Sequence, residues 1–289
     1  MNDPTRVARL LLESASALAN STNARAIIVA VDALPADIGS VPTRTMLIVR
    51  DDHDRARVEE LGEPPMGVIE VPNVELDRLG QMKLAAILAI AERRLSMEDS
   101  VVCLAGPFRS LVDSMIIMSL GSEYELFNTA DQPDLDEPIK SAVFHRVLTI
   151  ALQLGQHGRE GKRTGTLMVV GDHTHVLEQS EQMILNPFKG YAEAERNILN
   201  DDVAETVKEF STIDGALIIR RDGVIETAGS RLKAGVSEGL PSGLGSRHAA
   251  AAGITLNSRA IAITVSESDG TVRVWRAGLL VASFEMSPR

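Results

Sequence analysis

Between Ala24 and Leu104 the chain alternates short apolar runs with helix-length stretches, and few architectures accept that order. The runs are Ala24–Val31, Thr45–Val49, Gly67–Val71 and Ser100–Leu104. Each is too short for a helix and rich in Val, Ile and Leu. Between them lie Asp51–Leu61, a charged helix stopped by Gly62 and Pro64, and Val74–Leu95, with apolar Leu79, Met82, Ala86, Leu88 and Ile90 at helical spacing. An amphipathic helix over residues 4–19 precedes them, and Leu111–Leu120 reads as another after Gly106-Pro107. Strands separated by crossover helices give a parallel α/β sheet. With only 3% aromatic residues, the core must be built from Ala, Leu, Ile and Val.

Ligands of such sheets bind beyond the carboxyl ends of the strands, where Asp32, Asp51 and Gly106-Pro107-Phe108-Arg109 stand. No glycine-rich phosphate fingerprint accompanies them, so a scaffold or interaction domain with solvated acidic strand ends is the better reading of residues 1–130. Cys103, the sole cysteine, excludes an intrachain disulfide and reads as a buried strand residue. Asp131–Pro138 is acidic, carries two prolines and has little to bury, so it reads as a linker between 1–130 and a second domain, 139–289. The longest apolar stretch, Leu84–Ala91, is far short of the roughly 20 residues of a membrane span. The N-terminus lacks the order of a signal peptide, and a cytoplasmic protein is expected. A net charge of −11 argues against nucleic-acid binding. Residues 1–135 carry 12 Lys/Arg against 21 Asp/Glu, and residues 136–289 carry 17 against 19, so the second half is the better host for an anion.

That half opens with a helix, Ile139–Gln156, and a strand, Thr166–Val170. The basic Gly158–Gly165 segment between them resembles a P-loop in composition but lacks its spacing and precedes its strand, so it reads as a turn. Asp172-His173-Thr174-His175 closes the strand. Its histidines could share a strand face and hold a metal, but a polar turn into a helix over Val176–Ile184 is the stronger reading. After the Asn186–Tyr191 loop, Glu193–Phe210 is mostly helical. Ile213–Ile219 and Val224–Ala228 form a hairpin around Asp222-Gly223, and Ile261–Val265 and Val272–Trp275 form a second around Ser268-Asp269-Gly270. Gly278–Phe284 adds an edge strand. The expected result is a central mixed sheet flanked by helices.

Two pieces of this half carry chemistry. Gly243-Leu244-Gly245-Ser246-Arg247-His248 opens an alanine-rich helix with Ser246 as its N-cap. A helix N-terminus favours phosphate, Arg247 adds a bidentate donor, and His248 adds a donor without a permanent charge. Asp214-Gly215-Ala216 places a carboxylate early in an apolar strand, where packing explains it poorly. A divalent metal bridging it to a triphosphate would explain it. Glu267, in Ser266-Glu267-Ser268, is a second candidate carboxylate; a surface residue beside a hairpin is the alternative.

Asp-Gly-Ala followed by Gly-Leu-Gly-Ser-Arg-His resembles the paired motifs of the diadenylate cyclase domain, over roughly 139–285. The N-terminal α/β domain resembles the pyruvate-kinase C-terminal-like domain of archaeal-type members. The resemblance implies an ATP substrate, Mg²⁺ or Mn²⁺, and cyclase domains meeting face to face in a homodimer or larger assembly. There each 3′-hydroxyl attacks the other ATP's α-phosphate. It further implies that Asp214 binds the metal and helps activate the hydroxyl, with Glu267 kept as the second candidate metal ligand from its own position, and that Ser246, Arg247 and His248 hold the phosphates, the last two also catalytic. Gly215, Ala216, Leu232, Gly245, Ser246, Ala249, Ala250 and Ser266 would line the nucleotide. Three departures stand out. Ser246 stands where threonine is common before Arg-His and retains the hydroxyl. The arginine frequent after Arg-His is Ala249 here, with Arg231, Lys233 or Arg163 as candidate substitutes, and Ile213 stands where some members have histidine. A domain that senses nucleotide or cyclic di-AMP without turnover is therefore the alternative, and a purely structural assembly protein ranks below it.

Overall fold

The computed structural model describes residues 3–62, 64–123, 139–233 and 245–286. The expected linker, 131–138, and Gly243-Leu244 lie outside the described residues. The described residues divide into two compact units, the first within 3–123 and the second within 139–286.

In the first unit, α1 (Pro4–Ser21) begins where the Asp3 carboxylate accepts from the Thr5 N–H at 3.0 Å and Pro4 supplies a preset φ. Its Ala8, Leu12, Ala15 and Ala19 form the buried face. Strands β1 (Ala26–Ala30), β2 (Thr45–Val49), β3 (Val68–Glu70) and β4 (Ser100–Ala105) pair in parallel, as the alternation requires. Helices α2 (Asp52–Leu61) and α3 (Arg78–Ala91) cross between them, each started by an aspartate cap, Asp51 and Asp77.

One expectation fails here. The segment read as a helix over 111–120 is a strand, β5 (Ser114–Ser119), antiparallel to β4 along its whole length, followed by a one-turn helix, α4 (Leu120–Glu123). The β-branched pair Ile116-Ile117 and the open edge of β4, whose backbone groups need partners, outweigh the helical spacing of Leu111, Met115 and Met118. The sheet, in order β3-β2-β1-β4-β5, is therefore mixed, with a parallel core.

The second unit contains α5 (Ser141–His157), β6 (Thr166–Val170), α6 (His173–Glu178), β7 (Ser180–Gln182), α7 (Asp201–Phe210), β8 (Ala216–Ile219), β9 (Ile225–Leu232), α8 (Ser246–Leu256), β10 (Ile261–Val265), β11 (Val272–Arg276) and β12 (Leu279–Phe284). Seven strands form one mixed sheet, β12-β11-β10-β6-β8-β9-β7. Only β6 and β8 pair in parallel among them. Alternate residues Leu167, Val169, Ile218, Ala262 and Trp275 meet Ala251, Ala252 and Ile254 of α8 in one buried cluster. The alanines let the helix lie close to the sheet. Glu193–Phe210 resolves into a 3-10 turn (Glu193–Arg196) and α7, capped by Asn200.

The helix expected over 176–184 also shifts. It starts earlier, at His173, and ends at Glu178, after which β7 pairs with β9. His173 and His175 thus sit two apart on a helix, roughly 200° around its axis, and do not share a face. Among the described residues no three His, Cys, Asp or Glu side chains cluster as a metal site. No described helix is long and apolar enough to cross a membrane.

Candidate active site

Strand register brings the separate motifs to one end of the second sheet. Leu167 pairs with Ala216 and Thr166 with Val265, so β6 and β8 begin at the level where β10 ends. Gly165, Asp214-Gly215 and Ser266-Glu267 are the residues just beyond those three ends.

Asp214 lies in the turn entering β8, two residues before the strand rather than inside it. Its Oδ1 accepts from the Gly215 N–H at 3.0 Å, and the side chain is 82% exposed. Glycine is required next to it for two reasons. Gly215 has φ +102°, and a Cβ there would lie 2.8 Å from the Gly229 carbonyl carbon and from the Ser230 nitrogen. Leu232 ends β9 two residues past the Ala216–Ser230 pair, on the Asp214 side, and packs with Ala250 of α8 against the buried cluster.

The helix start differs from expectation by one residue. Gly245, with extended backbone (φ −71°, ψ 174°), is the N-cap, and Ser246 occupies the first helical position without a side-chain cap bond. The first backbone bonds run from His248 and Ala249 to the Gly245 carbonyl. The N–H groups of Ser246 and Arg247 precede them, as the first groups of any helix do. No described atom crowds the place a Gly245 Cβ would take.

Arg247 joins the pieces. Its guanidinium lies 3.4 Å from Asp214 Oδ1 and 3.4 Å from Glu267 Oε2. Thirty-three residues separate Asp214 from Arg247 in sequence, and twenty separate Arg247 from Glu267. Glu267 is 69% exposed, so both carboxylates face solvent beside one cation. Gly165 makes room for that cation, since a Cβ there would sit 2.9 Å from Arg247 Nη1 and 3.0 Å from Glu267 Cβ. Sequence reasoning passed over Gly165 as part of a basic turn; its place immediately before a strand was the available signal.

His248 is only 7% exposed. Arg273 of β11 donates to its Nε2 at 3.2 Å, and Trp275 packs edge-on with ring centroids 6.1 Å apart. Burial pushes the imidazole below its ordinary value, the Arg273 and Arg247 charges push the same way, and Asp269 partly opposes them. The buried Arg247 Nε and His248 Nδ1 have no hydrogen-bond partner among the described residues. Arg273 was not foreseen. Of the cations that were, Arg231 pairs with Glu181 at 2.6 Å and Arg163 lies against the Gly270 turn. The backbone N–H of Lys233 donates to the Gln179 carbonyl.

Ser266 is buried, with its Oγ 3.0 Å from that of Ser268. Its hydroxyl also bonds Asp269, whose carboxyl is raised by burial but brought down to about 2 by bonds from Ser266 and Thr271 and by Arg273. The structure therefore gives Ser266 a part in shaping the turn that carries Glu267.

Two family models match the chain. The one described as "DisA bacterial checkpoint controller nucleotide-binding" covers residues 153–280, and the one described as "Probable sensor domain DacZ_P" covers residues 8–127. A diadenylate cyclase of Methanocaldococcus jannaschii is 42% identical over 166 residues, which are 57% of this chain and 50% of that protein. A diadenylate cyclase of Haloferax volcanii is 33% identical over 196 residues, 65% of this chain and 68% of that protein. The chain belongs to the diadenylate cyclase family. It spans half the length of the M. jannaschii cyclase. Among solved structures, Staphylococcus aureus DacA is 24% identical with a TM-score of 0.34, covering 50% of this chain and 87% of that one. The segment matched by the first of the two models contains Asp214, Arg247, His248 and Glu267, and also Gly165 and Arg273.

The first unit, outside that segment, shows the other use of charge. At the carboxyl ends of its strands Arg50 donates to Asp32 at 2.6 Å and to Gln81 at 2.7 Å, and Arg109 to Asp54 at 3.1 Å. These strand ends are paired and partly buried, not solvated as expected. Cys103 is buried, and burial pushes its thiol up to about 12, which removes it as a nucleophile.

Proposed function

We propose that the chain condenses two ATP molecules into cyclic di-AMP and two pyrophosphates. The observation that carries this reading is the meeting of Asp214, Arg247 and Glu267 at the first turn of α8, in a chain of the diadenylate cyclase family. Two exposed carboxylates that share one arginine are hard oxygen donors that suit Mg²⁺ or Mn²⁺, ions that bind through one or two carboxylates plus substrate phosphates. Asp214 and Glu267 would hold the metal, which when bound supplies charge neutralisation at the reacting phosphate and lowers the pKa of a coordinated hydroxyl.

The protein's own groups do the rest. The N-terminus of α8 and Arg247 hold the triphosphate by charge and N–H donation, and the neutral His248 adds a donor. Gly215 and Gly245 admit the nucleotide close to the backbone, and Leu232 and Ala250 give it an apolar wall. In each half-reaction a 3′-oxygen forms a bond to the α-phosphorus of the other ATP, the α–β bridging bond breaks, pyrophosphate leaves with the electron pair, and the hydroxyl proton is lost toward Asp214. Such transfer rests on positioning and electrostatics. One site makes one bond and the ring has two, so two copies act together as a homodimer or larger assembly. We place the catalytic work in 139–289 and assign 1–130 no catalytic role.

Incubating the full chain with ATP and Mn²⁺, then identifying products by mass spectrometry, tests this. Cyclic di-AMP is expected, and Asp214→Asn should lower its rate by about 10²–10³-fold or more while leaving the circular dichroism unchanged. The competing reading, a silent sensing domain, draws on Ala249 standing where the related motif often has arginine. Tight ATP or cyclic di-AMP binding without product across Mg²⁺ and Mn²⁺ would select it.

A further inference from the structure

We propose that Arg273 is a positioning residue: it fixes His248 as the Nδ1–H tautomer, and that Nδ1–H is the donor His248 offers to a nucleotide phosphate oxygen. The inference rests on the nucleotide reading of the site given above and concerns how one of its groups is set.

A guanidinium has five N–H donors, no acceptor and no accessible neutral form. The 3.2 Å contact between Arg273 Nη1 and His248 Nε2 therefore has one sense, with Nε2 as acceptor. An imidazole whose Nε2 accepts carries its proton on Nδ1 when neutral. Burial and then the Arg273 and Arg247 charges disfavour a second proton on the ring, with Asp269 partly opposing them. Nδ1 is itself buried and has no partner among the described residues. A buried donor with nothing to donate to is rare in a folded protein and calls for an explanation.

The surroundings name the acceptor. His248 belongs to the first turn of α8, next to Arg247, whose Nε is likewise buried without a partner. These groups lie where a helix start favours an anion. The edge-on packing of Trp275 and the bond from Arg273 hold the ring from β11, so its orientation is set before a ligand arrives. Arg273 itself need not touch the substrate, which distinguishes it from Arg247.

Long-range proton–nitrogen spectra of the full chain, labelled at histidine, read the tautomer directly. The wild type should show a protonated Nδ1 and an unprotonated Nε2. Arg273→Met should mix or reverse the two forms and weaken binding of the α,β-methylene analogue of ATP with Mg²⁺ by roughly tenfold. Arg273→Lys should restore the wild-type tautomer and most of the affinity. Addition of the analogue should shift the Nδ1–H signal of the wild type. A protonated Nε2 in the wild type overturns the proposal even if Arg273→Met fails to fold. So does an Arg273→Met protein with unchanged tautomer and affinity, or an Nδ1–H signal unmoved by saturating analogue. Absence of cyclic di-AMP from wild-type incubations would sink the cyclase reading while leaving these spectra to decide the tautomer.

Discussion

Two glycines at the site have opposite kinds of necessity, and substitution separates them. Gly215 is fixed by its own backbone: φ +102° and the close approach of the Gly229–Ser230 peptide leave no place for a Cβ. Gly215→Ala should cost about 1–3 kcal/mol from conformation alone, and more from the backbone clash, visible as a lower urea midpoint. Gly165 is held clear for a neighbour. The atom nearest its absent Cβ is the end of the flexible Arg247 side chain, with Glu267 Cβ next at 3.0 Å, so Gly165→Ala should move Arg247 and nudge Glu267 at a smaller cost in stability than Gly215→Ala. Its melting temperature should stay within a few degrees of wild type while ATP affinity falls. Equal losses of stability in the two variants would contradict this division. At this scale the sequence showed Asp214, Arg247 and His248, because a carboxylate beside Gly and a cationic first turn are local patterns. It hid Gly165 and Arg273, because their partners are chosen by strand register rather than by spacing.

Among elements, α8 and the β10–β11 hairpin act as one body through Trp275, whose indole N–H donates to Thr264 Oγ1 at 3.0 Å, and through the Arg273–His248 bond. That coupling has a pH signature. His248 titrates below its ordinary value in the folded chain, through burial first and the Arg273 and Arg247 charges next, with Asp269 opposing. The unfolded chain takes up this proton near pH 6.5 and the folded chain only at lower pH. Protons then bind the unfolded state in excess, and stability falls as pH drops below about 6.5. Urea unfolding at pH 7.5 and 5.5 should show a larger loss for the wild type than for His248→Gln, and equal losses would remove His248 from this role. The element misjudgements have a shared cause. β5 and β7 are edge strands, stabilised by the open side of a neighbour, β4 or β9, that no local pattern announces. The interior strands β2, β6 and β10 fall on the residues expected, because burial on both faces leaves a continuous apolar run.

For the whole molecule, the account depends on segments far apart in sequence gripping one ligand. The uneven charge fits this: the acidic surplus lies mainly in residues 1–135, and the half that holds Arg247 is near neutral. Alternation of runs and helices made the first sheet legible, and hairpin turns made the second, whereas the level at which β6, β8 and β10 start and end is a property of the assembled sheet. Calorimetric titration of ATP into the full chain, with and without Mg²⁺, tests the grip most directly. The account predicts that Mg²⁺ strengthens binding to the wild type, that Asp214→Asn abolishes the Mg²⁺ effect, and that Arg247→Ala weakens binding by about tenfold or more. Wild-type affinity and Mg²⁺ dependence in both variants would contradict it.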